Sequence, residues 1–101
     1  MIGGLNMKTI SDWQTFIKNH ETMAYKLPEK DKKAVLEILK GQEVDCVAAG
    51  YTDDEIAGEM TDIVLCSYEY KGFYWDSRDI LYFEKYDMPL QTEFLDMVLN
   101  S

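Results

Sequence analysis

The side chains best suited to nucleophilic or metal chemistry in this chain are one histidine and two cysteines, His20, Cys46 and Cys66. A zinc or transition-metal centre brings three or four Cys, His or carboxylate ligands together, and one His with two separated Cys does not supply that set. Neither cysteine has a neighbouring Lys, Arg or His to hold it as a thiolate. In apolar surroundings, Asp45-Cys46-Val47-Ala48 and Val64-Leu65-Cys66, both read as buried free thiols. His20 falls at the end of a helical pattern, where its ring serves the last carbonyls. Asp and Glu number 19, so counting does not exclude a pair of carboxyls for general acid and base work. A general acid also needs an apolar pocket to raise its pKa, and a short chain whose aromatics are needed for the core leaves little wall for one. Asp53-Asp54-Glu55 lies in the first turn of an expected helix, where acids complement the dipole, and it lacks the ligand spacing and central glycine of a calcium loop. No glycine-rich phosphate loop is present. The expectation is a non-enzymatic protein with no catalytic residue, no cofactor and no metal.

The elements that must position these side chains belong to a chain of 101 residues, 47% hydrophobic and 29% charged. That is one domain, long enough to hold a core without staples and too apolar to be disordered. Residues 1–8 read as a flexible tail and residues 9–101 as a single acidic α+β domain. Ser11 and Gln14 form an S-x-x-Q capping pair, followed by Trp13, Phe16 and Ile17 on one stripe. Leu27-Pro28 opens a second helix, with Ala34, Val35, Ile38 and Leu39 inward and Gly41 at its end. Val44 to Ala49 is a short apolar run of either type. Thr52 and Glu55 repeat the capping pattern and predict a short acidic helix with Ile56, Ala57 and Met60 available for packing.

From Ile63 the residues favour strands up to Lys71-Gly72 and again through Phe73-Tyr74-Trp75, which predicts a hairpin. A two-residue turn puts Tyr70 opposite Phe73 and Tyr68 opposite Trp75, all on the buried side, with Glu69 and Tyr74 on the other, whereas a longer loop with Gly72 left-handed would shift the register and swap the faces. Asp76 or Ser77 caps the next helix, and Pro89 precedes a last one carrying Leu90, Phe94, Leu95 and Val98. The expected fold is α+β, about five short helices packed on one aromatic-rich two-stranded antiparallel hairpin, since a lone hairpin needs cover.

One local segment, Ala49-Gly50-Tyr51-Thr52-Asp53-Asp54-Glu55-Ile56-Ala57, resembles the opening of bacterial helix-turn-helix segments. The resemblance implies a turn leading into a helix. The continuation, Thr61 to Cys66, is strand-like and carries no Lys or Arg for phosphates or base edges, so no direct nucleic-acid binding is expected.

Charge is the remaining signal. Residues 1–40 contain seven Lys and five acids, a sum of +2, while residues 41–101 contain Lys71, Arg78 and Lys85 against fourteen acids, a sum of -11. Such a balance disfavours nucleic acid and anionic membranes and favours a protein partner with a basic surface. The N-terminus has no stretch of signal-peptide length and no run nears the roughly 18 apolar residues of a membrane helix, so a cytoplasmic protein is expected. Tyr is suited to interfaces, and the expected partner-binding residues are Glu69, Tyr74, Asp76, Asp79, Tyr82, Tyr86 and Asp87. One sharper form is an inhibitor from a phage or mobile element that mimics nucleic acid, of the anti-CRISPR or anti-restriction type. A second alternative is a small enzyme or ligand-binding domain using carboxylates, and a homodimer through the hairpin edge is also open.

Overall fold

Two residues with positive φ set the centre of the sheet. Lys71 (φ 50°) and Gly72 (φ 84°) form the tight turn between β3 (Glu59–Tyr70) and β4 (Phe73–Asp76). The mirror-image turn with both central residues left-handed matches the twist of the strands it joins. It fixes Tyr70 opposite Phe73 and Tyr68 opposite Trp75, the register read from the sequence. The computed structural model of the protein describes residues 7–100. Its other elements are β1 (Lys8–Thr9), α1 (Trp13–Met23), α2 (Glu29–Gly41), β2 (Cys46–Asp54), α3 (Ser77–Tyr86) and α4 (Thr92–Leu99). The strands form one sheet in the order β1-β4-β3-β2, with β1 parallel to β4 and the other pairs antiparallel.

The core lies where the β3–β4 aromatics meet the helices. Trp75, Phe16, Tyr82 and Phe94 are fully buried with Val35, Leu39 and Met88. The Trp75 indole N–H donates to the Leu39 carbonyl at 3.2 Å, which satisfies the one polar atom that ring carries inward. Phe94 meets Trp75 and Phe73 edge to face, with centroids 5.7 and 5.3 Å away. Asp76 caps α3, its carboxylate accepting from the Arg78 N–H while Asp79 accepts from the Asp76 N–H, a capping box.

The fold is α+β, but with four helices and a four-stranded mixed sheet among the described residues instead of five helices on a two-stranded hairpin. The helix expected from Thr52 to Met60 is absent. The chain there completes β2, turns, and enters β3, with Asp53 opposite Met60 and Asp54 opposite Glu59. The Asp54 carboxylate accepts from the N–H groups of Ile56 and Ala57 at 3.1 and 2.9 Å, and Gly58 takes a positive φ of 70°. This Asx turn uses the acid that the capping pattern had placed inside a helix. The helix-turn-helix resemblance falls with it, since Ala49–Ala57 is strand and turn. The first helix is capped by Asp12, not Ser11, through the Thr15 N–H, and runs to Met23 past a break at Asn19. Cys46 is exposed and Cys66 half-buried, not both buried, because no helix covers residues 43–51. Of the tail expected over 1–8, residues 1–6 lie outside the described residues, while Lys8 pairs with Phe73 in β1.

Gly41 and Gly72 both have open space where a Cβ would stand, yet they predict opposite signs. Gly72 has φ +84° and Gly41 does not lie in the left-handed region. Gly72→Ala should lower stability by about 1–2 kcal/mol, the cost of a left-handed L-residue. Gly41→Ala, at the end of α2, should raise it by about 0.5–1 kcal/mol. Urea midpoints that move in the same direction for both would contradict the turn.

Candidate functional site

Between Lys40 and Lys71 the chain contains eight acids and no Lys, Arg or His. The fold collects seven of these acids on or beside the β2–β3 arm without an ion pair among the described residues. Among the described residues, Asp54 alone of the eight has an ion pair, to Lys85 at 2.7 Å. Glu43, Asp45, Asp53, Glu55, Glu59, Asp62 and Glu69 have none. The nearby cations are used elsewhere: Arg78 grips Asp76 at 2.6 Å, Lys85 grips Asp54, and the Lys71 ammonium lies 5.4 Å from the Tyr70 ring centroid. Apart from Tyr25 and Tyr74, every exposed large hydrophobic side chain among the described residues also belongs to this arm or its lead-in: Val44, Val47, Tyr51, Met60, Ile63 and Val64. Acid and apolar area thus share one arm.

The arm is held at both ends. At its root the Ser77 hydroxyl donates to the Val64 carbonyl at 2.7 Å and accepts from the Cys66 N–H at 3.0 Å. At its tip the buried Asp54 carboxylate takes Lys85 and the Tyr86 hydroxyl, each at 2.7 Å, in addition to the turn amides. The Tyr82 hydroxyl accepts from the Glu55 N–H at 3.0 Å and donates to the Asp53 carbonyl at 3.2 Å. Burial pushes the Asp54 carboxyl up, but the hydrogen bonds from Lys85, Tyr86 and the Ala57 N–H outweigh it and leave the pKa lowered to about 2.

The residues expected to bind a partner do not form one surface. Glu69 and Tyr74 are exposed and directly opposed across β3 and β4. Asp76 is half-buried and occupied by Arg78. Asp79 and Tyr82 are buried, at 6% and 0% exposure, because the α3 stripe they share faces inward. Tyr86 is half-buried on Asp54, and Asp87 closes α3 in the left-handed conformation while pairing with Lys32 at 2.8 Å. Asp45, Val47, Tyr51, Met60 and Asp62, exposed on or beside the arm, were not among the expected residues. The signal that could have found them was the long interval without a cation.

A second feature is a cleft of about 650 Å³ between the start of α1 and the β4–α3 junction, lined among others by Ser11, Asp12, Trp13, Tyr74, Asp76 and Asp79. Burial raises the Asp79 carboxyl to about 6 against the opposing hydrogen bonds from the Ser11 hydroxyl and the Asp76 N–H. On the rim, the hydroxyl and N–H of Thr15 lower Asp12. The Arg78 guanidinium covers the Trp13 ring at 4.4 Å and is held by Asp76. Among the described residues no group of three or more Cys, His, Asp or Glu could hold a metal ion, and no helix is long and apolar enough to cross a membrane. Comparison with protein-family models, curated proteins and solved structures finds no match to this chain.

Asp79 and Asp54 predict opposite pH effects. The folded pKa of Asp79 lies above the ordinary value of 3.8, so its contribution is greatest below that value and is lost as pH rises through about 6. The folded pKa of Asp54 lies below 3.8, so its contribution is present above that value and is lost as pH falls towards about 2. Relative to the parent, Asp79→Asn should therefore gain stability from pH 4 to pH 7 by up to about 3 kcal/mol. Asp54→Asn should lose relative stability as pH rises from 2 to 4. Urea titrations across both ranges check this, and pH-independent differences would contradict the burial assigned to each carboxyl.

Proposed function

We propose that this protein is a binding module, not an enzyme, whose β2–β3 arm engages a basic surface on a partner protein. The observation behind this reading is the coincidence on one arm of seven acids without an ion pair and the exposed Val47, Tyr51, Met60 and Val64. Charge of one sign steers an oppositely charged partner and sets register, while the apolar and tyrosine area supplies contact once water is excluded. A cleft built to receive phosphates has the matching sign, so an inhibitor that occupies the nucleic-acid site of another protein is the sharper form of the same reading.

Exposed charge pairs are screened over about 10 Å at 0.1 M salt. Capture from a bacterial lysate at low salt should therefore retain a basic partner that elutes as salt rises. The triple reversal Glu43→Lys, Asp45→Lys, Asp62→Lys should abolish retention. Glu37→Lys, an exposed change on α2, should leave it intact. Equal losses from both variants, or no retained basic protein at low salt, would overturn the reading.

The cleft favours a second reading, a small-ligand site. Its volume lies in the range of ligand pockets, and a carboxyl buried in its wall can give or take a proton near neutral pH. A compound that raises the melting temperature of the parent but not of Asp79→Ala would establish it. A compound that protects both equally binds elsewhere.

A further inference from the structure

The two edges of the sheet are treated very differently. β1 closes one side with two residues, one of them a lysine. β2 closes the other with nine residues, no proline and no lysine, and among the described residues pairs only with β3. An edge strand presents unpaired N–H and C=O groups to any extended chain, and proteins ordinarily blunt such edges with short length, lysine, proline, bulges or a covering element, of which β2 has only its register shifts between Val47 and Asp53. Here the β2 residues 46–51 are all exposed, and nine residues is long for an edge strand. The edge is bracketed by acids, with Glu43 and Asp45 at one end and Asp53 and Glu55 at the other. Asp45 and Asp53 are separated by about 26 Å of extended chain.

We propose that the basic partner is bound as a strand: an extended segment with Lys or Arg near both ends pairs with the outer edge of β2 and enlarges the sheet. The inference rests on the reading of the arm as a basic-protein site and adds the geometry of the contact. Backbone hydrogen bonds give the segment its affinity, the four bracketing acids choose its charge, and Val47 and Tyr51 offer apolar contact beside it.

A second copy of this chain fits the edge less well. Pairing two β2 strands antiparallel about Ala49 sets Asp45 of one against Asp53 of the other, and like charges directly opposite are destabilising. Each copy also carries a net charge of -9. The register shifts between Val47 and Tyr51, where Gly50 has φ +105°, and so the edge is kinked. A flexible segment can follow a kink, whereas two rigid edges must match theirs.

The test uses the full chain and two synthetic peptides of about eight residues alternating Lys and Val, one unmodified and one N-methylated at every residue so that neither of its edges can donate. N-methylation removes backbone donors while leaving charge and side chains in place. The unmodified peptide should slow amide exchange within Cys46–Asp54 and bind at least about tenfold more tightly than the methylated one, which has lost several ladder hydrogen bonds. Equal affinity for the two peptides would overturn strand pairing while leaving the acidic surface as the site. No binding of the unmodified peptide at low salt would also overturn it, and the capture and charge-reversal result would then judge the surface separately. Protection of Cys46–Asp54 that appears with rising protein concentration and no peptide would give the edge to a second copy, and would also overturn the proposal.

Discussion

The structure depends on the attachment of the β2–β3 tip to α3. A two-stranded ribbon is marginal in water, and most of this one has no helix over it. What makes it a defined surface is the buried Asp54 carboxylate, which gathers two turn amides, the Lys85 ammonium and the Tyr86 hydroxyl. Tyr82 adds a hydroxyl that bridges the backbone on both sides of Asp54. Buried acceptors of this kind are costly to leave unpaired, so the tip has one low-energy seat on α3. The root is fixed by β4 pairing and by Ser77. The acids and apolar side chains between these two anchors are therefore held in place without being buried.

The molecule handles two buried carboxyls in opposite ways. Asp54 is kept charged because its hydrogen bonds and Lys85 outweigh its burial. Asp79 has Ser11 and one backbone N–H, and its burial wins. Both side chains have little exposed surface, but Asp79 lies deeper among protein atoms and receives fewer and weaker donors than Asp54. Arg78 lies near Asp79 but is taken by Asp76 and the Trp13 ring. The capping box that starts α3 thus sequesters the cation that could have neutralised Asp79.

Much of the core was legible in the sequence because its signals were local. Lys71-Gly72 set the register of β3 and β4, Asp76 capped α3, and the stripes of α2 and α4 follow their apolar spacing. The arm was not legible, because Thr52-x-x-Glu55 satisfies a helix-capping pattern that pairing with β3 overrides. The turn signal was present in the same residues, with Asp54 followed by Gly58 at positive φ, but nothing local ranks it above the helix. Asp79 looked like a surface acid on α3. Its partner Ser11 lies 68 residues before it, and only tertiary packing brings the two together. Tyr74 is exposed, while Tyr82 and Tyr86 turn away from the surface for a related reason: they direct their hydroxyls to the arm, a partner that local spacing does not reveal.

That exchange explains how the acid came to lie where it does. The second half of the chain has three cations, and the fold uses Arg78 on the Asp76 cap of α3 and Lys85 to tie α3 to the arm tip at Asp54. Each internal ion pair removes a positive charge from the exposed field. The Asp76 and Asp54 charges are neutralised in place, while Asp45, Asp53, Glu55, Glu59 and Asp62 remain uncompensated around the exposed Val47, Tyr51 and Met60. Self-repulsion among these acids works against a compact state, which is tolerable because they sit on an extended ribbon in high-dielectric surroundings. The same extension leaves the outer edge of β2 unpaired. Among the described residues, negative potential and free backbone donors and acceptors consequently occur on one element, which is the combination that the proposed pairing with a basic strand requires.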